Sequence, residues 1–120
     1  MVRWMRERPW VVVFIWTAIV LGVSSIPNIT APPHAPTRLD LFAHFVEYLV
    51  LGLLLSRALL AGTPWGRPAI FGVALLLGVG FAVLDEFHQL AIPGRSCDAV
   101  DMLADACGIV MAQILLIVRK

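Results

Sequence analysis

The acidic residues of this chain lie near the ends of apolar segments, in positions suited to acid–base or ligand-binding chemistry. Seven of the eight carboxylates lie where an arrangement of four membrane spans places the outer ends of the helices, and only Glu7 lies elsewhere. An ionised side chain inside a hydrocarbon layer costs roughly 2.5–3.5 kcal/mol on insertion scales, so such groups are rare and usually functional. Their concentration therefore predicts a polar site. The seven carboxylates are Asp40, Glu47, Asp85, Glu86, Asp98, Asp101 and Asp105.

Side chains of three other types accompany these acids and widen the available chemistry. His44 beside carboxylates suits a proton relay or general acid–base catalysis, or else a structural hydrogen bond between helices. Arg95 follows a Pro-Gly turn, and its guanidinium suits a ligand phosphate or carboxylate, or an ion pair with a neighbouring Asp. We assign substrate binding to Arg95, Gln89 and Asp40. The candidate catalytic residues are His44, Glu47, Glu86, Asp101 and Asp105.

The catalytic candidates form an oxygen-rich set, which would suit Mg²⁺, Mn²⁺ or Ca²⁺ better than Zn²⁺. However, the chain has no His-Glu-x-x-His and no Gly-x-Ser-x-Gly motif. No established motif therefore supports an enzyme. A metal site formed by these residues is an alternative, but we predict no cofactor and assign no metal ligands. The net charge is +1 and the arginines form no basic stripe, so we also expect no nucleic-acid partner.

Four apolar segments must position these residues. The chain has 120 residues and is 60% hydrophobic, against roughly 45–50% in soluble globular proteins. A soluble domain of this size could not bury so much apolar surface, whereas helices of about 20 residues cross a bilayer. The sequence predicts one domain, residues 1–120, that is all-α and forms an integral membrane four-helix bundle. The predicted spans are residues 9–26, 41–61, 68–90 and 99–118.

The basic residues indicate how the bundle is oriented. With the N-terminus in the cytoplasm, seven Lys and Arg residues lie on the inner side, and only Arg38 and Arg95 lie outside. The positive-inside rule then predicts cytoplasmic termini and acid-rich ends that face outward. The first segment could instead be a signal peptide with a small-residue cleavage site at residues 22–24. Trp4 and Trp10 favour a retained span anchored at the interface.

Helical periodicity places the polar residues on shared faces. Residues three or four apart on a helix lie one above the other, so His44 and Glu47 share a face of the second span. Glu86 and Gln89 share a face of the third span. Asp85 diverges from Glu86 by about 100°, so we expect Glu86 to enter the site and Asp85 to cap a neighbouring helix.

The fourth span combines acids and small residues on one face. Asp101 and Asp105 lie at its outer end, and Gly108 and Ala112 continue the same face inward. Small residues permit close helix–helix approach in membranes, so this face should pack against another helix. Tyr48, by contrast, is predicted to be an interfacial anchor, like the tryptophans.

Three motifs of the chain resemble the signatures of the VanZ-like family. Residues 40–52 (DLFAHFVEYLVLG) resemble the first signature. Residues 85–95 (DEFHQLAIPGR) resemble the second, a Glu-x-x-Gln followed by Pro-Gly-Arg, and residues 101–108 (DMLADACG) resemble the third. This chain departs from the family pattern at Leu41, where the family usually has Lys, and at Asp105, where it usually has Asn.

The resemblance implies a small multi-pass protein of the bacterial cytoplasmic membrane, whose partner is the lipid bilayer. The family takes its name from a member linked to reduced susceptibility to the glycopeptide teicoplanin. The first hypothesis is a polar pocket at the extracytoplasmic side that binds a lipid headgroup, a lipid-linked cell-wall precursor or a lipoglycopeptide. The alternatives are an intramembrane hydrolase or transferase acting on a lipid-linked substrate through the carboxylate–His cluster, and an oligomeric transporter or proton-linked channel.

Overall fold

Four long helices make up most of the part of the chain that the structure describes. The computed structural model describes residues 7–25, 37–91 and 99–119, and within these ranges every regular element is an α-helix. The predicted all-α four-helix bundle is thus confirmed, and α2 begins four residues before the predicted span. The other predicted ends lie within two residues of the observed ones. The helices are α1 (Pro9–Ser24), α2 (Thr37–Gly62), α3 (Arg67–Leu90) and α4 (Ala99–Arg119).

Proline and glycine set the helix boundaries. α1 and α3 each carry Pro in the first turn, where its fixed φ suits the helix and its missing N–H would have no partner. Gly66 precedes α3 in an extended conformation, with φ −72° and ψ 165°. The end of α2 is held by Thr63, whose backbone N–H and side-chain hydroxyl both donate to the Leu59 carbonyl, at 3.0 and 2.7 Å. The resulting turn reverses the chain between α2 and α3.

α2 lies at the centre of the bundle and packs against all three other helices, most extensively against α4. Small residues make this contact close. A Cβ added at Gly108 would overlap the carbonyl oxygen of Phe45 and lie 2.8 Å from the backbone nitrogen of Leu49. One at Gly52 would lie 2.7 Å from the Cβ of Ala112. The predicted small-residue face of α4 therefore lies directly against the backbone of α2.

Consecutive helices run antiparallel, so the bundle has two chemically different ends. At one end, which we call the polar end, His44 of α2 meets Asp105 of α4. At the other, which we call the arginine end, Arg67 of α3 donates to the carbonyl of Leu116 in α4. The sequence predicts that the polar end is extracytoplasmic and the arginine end cytoplasmic, and this orientation stays a prediction.

The bundle presents an apolar surface suited to lipid. α3 and the segment Leu41–Gly62 of α2 are long and apolar enough to cross a membrane, and α1 is apolar but shorter. Large apolar side chains face outward along the helices, and only part of the apolar surface is buried between them. Such outward-facing apolar area is stable in hydrocarbon rather than in water. The most exposed of these side chains are Phe14, Phe42, Leu76, Leu84, Phe87 and Leu103.

Candidate functional site

Three helices bring ionisable side chains together at the polar end. We call His44, Glu86, Asp101 and Asp105 the polar cluster; α2 supplies the histidine, α3 the glutamate and α4 the two aspartates. All four are buried, with exposed fractions of 7%, 1%, 9% and 0%, respectively. The faces predicted from helical periodicity therefore converge, because each of the three helices turns its polar stripe toward the bundle axis.

His44 is the centre of the polar cluster. Its Nδ1 lies 2.9 Å from Asp105 Oδ1, within hydrogen-bond distance, and its Nε2 lies 3.8 Å from Asp101 Oδ2. A protonated imidazole has an N–H at each nitrogen, so it can interact with both carboxylates at once. A neutral imidazole with its proton on Nδ1 would instead donate to Asp105 and present the Nε2 lone pair toward Asp101.

Glu86 completes a group that could hold a cation. One ligand atom from each of His44, Glu86 and Asp101 lies within 4.8 Å of the others. One imidazole and two carboxylates are donors that divalent cations accept, with the oxygen majority favouring hard ions. The same three groups could equally surround an ammonium or hydroxyl group of a ligand, because carboxylate oxygens accept hydrogen bonds from both.

Asp105 has additional hydrogen-bonding capacity inside the cluster. Its Oδ1 interacts with His44, whereas its Oδ2 is buried and has no hydrogen-bond partner among the described residues. A buried carboxylate oxygen without a partner is costly, so its retention calls for an explanation such as a proton, water or ligand at this atom. Asp105 is also one of the two positions where the chain departs from the VanZ-like pattern.

A second polar group, centred on Asp85, joins α1 to the bundle. Asp85 is only 1% exposed, and its two oxygens accept from the hydroxyls of Ser24, at 2.5 Å, and Tyr48, at 3.2 Å. One turn farther along α3, His88 Nε2 lies 2.7 Å from the Ser25 hydroxyl. Asp85 thus contacts the end of α1, but through side-chain hydroxyls, and the described contacts do not include the predicted cap on backbone groups of a neighbouring helix.

Tyr48 corrects one prediction from the sequence. It is not an interfacial anchor: its side chain is 0% exposed, and its hydroxyl donates to Asp85. Its ring packs against Phe81, with the centroids 6.1 Å apart. The signal that could have revealed this position is its spacing, since Tyr48 follows His44 by four residues and therefore lies on the same inward face.

The remaining predicted site residues have different positions. Glu47 is half-buried, and the carboxylates with an oxygen described within 4.0 Å of a His44 ring nitrogen are those of Asp101 and Asp105. Gln89 is buried, 3% exposed, one turn beyond Glu86. Arg95 and Asp98 lie outside the described residues, as does the side chain of Asp40. The predicted extracytoplasmic pocket depends on these residues and stays a prediction.

A comparison with known protein families supports the family resemblance that the three motifs indicate. A family model described as VanZ/LLP1 matches residues 4–120, which include all four helices and the three motifs. No curated protein and no solved structure matches the chain. The family match, together with two helices long and apolar enough to cross a bilayer, indicates a membrane protein.

Proposed function

The chain belongs to the VanZ/LLP1 family, and on that premise we propose that it is a multi-pass protein of the bacterial cytoplasmic membrane that binds an amphiphile. The polar cluster forms the inner wall of its binding site, at the extracytoplasmic side. The ligand is a lipid headgroup, a lipid-linked cell-wall precursor or a lipoglycopeptide. Binding of such a molecule gives the protein a role in resistance to glycopeptides such as teicoplanin.

The observation that supports this proposal most directly is the burial of His44, Glu86, Asp101 and Asp105 together at one end of an apolar bundle. Burying ionisable groups in this number is expensive and gives less stability than apolar packing of the same volume. Their presence is therefore better explained by a ligand that uses them than by the stability of the fold.

The chemistry of the cluster defines the ligand groups that it suits. Carboxylates accept hydrogen bonds from hydroxyl and ammonium groups, which sugars and amino-substituted headgroups provide. Arg95, in the segment between α3 and α4, supplies the complementary donor, since a guanidinium binds phosphate or carboxylate through two parallel hydrogen bonds. A ligand with both kinds of group, such as a lipid-linked saccharide phosphate, would engage both parts.

The test uses isosteric substitutions at the cluster in a teicoplanin-susceptible host that expresses the full chain. We expect Glu86→Gln and Asp101→Asn to reduce protection from teicoplanin at unchanged protein level in the membrane, and Arg95→Ala to abolish it. The matched control is Glu7→Gln, which changes the single carboxylate away from the polar end. Full protection in Arg95→Ala, or a loss of protection that always accompanies a loss of protein, would refute a binding role.

The contact between His44 and Asp105 favours a second candidate function, an intramembrane hydrolase or transferase on a lipid-linked substrate. The 2.9 Å hydrogen bond fixes the imidazole, as an orienting group does for a general base. Neutral His44 would accept a proton from an attacking water or acceptor hydroxyl, and a protonated carboxyl of the cluster would donate one to the leaving group. Purified protein that releases product from a lipid-linked phosphate, with the rate lost in His44→Gln, would favour this reaction.

A further inference from the structure

A cavity lies at the arginine end, far from the polar cluster. Its volume is about 500 Å³, within the roughly 300–1,000 Å³ typical of ligand pockets. It is an open cavity lined by α2, α3 and α4, and its wall is mostly apolar, with Leu60, Phe71 and Leu116 among the lining residues. The walls of an apolar cavity between membrane helices resemble the apolar surroundings that a lipid acyl chain has in the bilayer.

Two polar features interrupt this apolar lining. Deep in the cavity, Gln113 is 3% exposed and its amide nitrogen donates to the Ser56 hydroxyl at 2.7 Å. An amide nitrogen carries two N–H groups, and the second has no acceptor among the described residues. A buried donor that lines an otherwise apolar cavity is suited to a carbonyl oxygen carried in by a ligand, such as that of a fatty-acyl ester.

At the rim, Arg67 provides a positive charge. One of its terminal nitrogens donates to the Leu116 carbonyl at 3.1 Å, which uses one of its five N–H groups. The other N–H groups make no hydrogen bond to the described part of the chain, so they remain able to bind a phosphate through two parallel hydrogen bonds. Trp65, two residues earlier and 47% exposed, suits the interface level of the bilayer, where lipid phosphates lie.

We propose that this cavity is a binding site for an anionic phospholipid of the cytoplasmic leaflet, with an acyl chain between the helices and the phosphate on Arg67. The predicted orientation places this end in the leaflet where anionic lipids attract basic residues between helices. The Gln113 amide receives an ester carbonyl. The site is separate from the polar cluster and does not depend on the function proposed for it.

The experiment is native mass spectrometry of the full chain in a neutral detergent, with 1-palmitoyl-2-oleoyl phosphatidylglycerol as the probe and the corresponding phosphatidylcholine for comparison. We expect the wild-type chain to retain phosphatidylglycerol more tightly. Arg67→Gln should weaken that binding about tenfold, as expected for the loss of a charge-assisted contact, and should remove the preference for it. Leu60→Trp, which fills the cavity, should reduce the binding of both lipids.

Matched controls separate site binding from general attraction to the protein surface. Arg8→Gln removes an exposed arginine outside the cavity, and Leu76→Trp adds the same bulk to an exposed position of α3. Both should bind lipid as the wild-type chain does, and thermal unfolding should show that all four variants are folded. Equal binding of the two lipids by the wild-type chain, or equal losses in Arg8→Gln and Arg67→Gln, would overturn the proposal.

Discussion

Replacing Gly108 with alanine tests the close approach of α2 and α4, on which the position of the polar cluster depends. The added Cβ would overlap the carbonyl oxygen of Phe45 and lie 2.8 Å from the backbone nitrogen of Leu49. Neither atom can rotate away, because both belong to the backbone of α2. The two helices must therefore separate by at least about 0.6 Å, the difference between 2.8 Å and an ordinary 3.4 Å contact.

The energetic consequence follows from two opposing effects. Alanine favours the helix by about 1 kcal/mol relative to glycine, whereas forcing extra volume into a packed contact costs about 1–3 kcal/mol. The separation also affects His44, which directly precedes Phe45 in the chain. The 2.9 Å contact between His44 and Asp105 spans the same interface. We therefore expect Gly108→Ala to lower the free energy of unfolding by about 1–3 kcal/mol once this contact is weakened.

The matched control is Gly80→Ala on α3, where an added Cβ meets no atom within 4 Å. That substitution should leave stability unchanged or raise it by up to about 1 kcal/mol, because only the helix preference acts. The measurement is denaturant unfolding of the purified protein in detergent, followed by tryptophan fluorescence and circular dichroism. If Gly108→Ala is as stable as Gly80→Ala, the helices do not approach as described and the geometry of the polar cluster must be revised.

Three further predictions concern the polar end. Tyr48→Phe removes the hydroxyl that donates to Asp85 and should cost about 1–2 kcal/mol, measured by the same unfolding assay. Ser24→Ala should cost about 1–3 kcal/mol, since a buried hydrogen bond to a carboxylate is lost; a loss near zero would show that α1 is held by apolar packing alone. Asp105→Asn preserves an oxygen that can accept from His44 and should fold normally, whereas Asp105→Ala should lose about 3–5 kcal/mol; equal stability of the two variants would contradict the described contact.

The four elements could be predicted closely because their signals are local. Apolar segments of bilayer length, with Pro near the start and Gly or Pro after the end, determine where a helix can run. The predicted 68–90 and the observed α3, Arg67–Leu90, differ by one residue. The larger difference is at the start of α2, where the apolar pattern begins at Leu41 but the helix begins at Thr37. A helix prediction based on the apolar pattern cannot include a first turn made of polar residues.

The polar cluster could be anticipated only in part. Periodicity assigned His44, Glu86, Asp101 and Asp105 to inward faces, since residues on one stripe of a helix must turn together. It could not rank them, and it gave Glu47 the same weight as Asp105. In the structure His44 forms its hydrogen bond with Asp105, because the close contact at Gly108 brings the part of α4 that carries Asp105 against α2.

The pattern of residues along the chain is enough to predict the number of helices, most of their bounds, and the polar faces of α2, α3 and α4. These properties depend on interactions between residues near one another in the chain. The hydrogen bonds of Asp85 with Ser24 and Tyr48, and the cavity beside Arg67, become known only once the helices are packed together. Such features depend on the distance and rotation between helices, which are set by side-chain volumes across the interface rather than by any pattern along one helix.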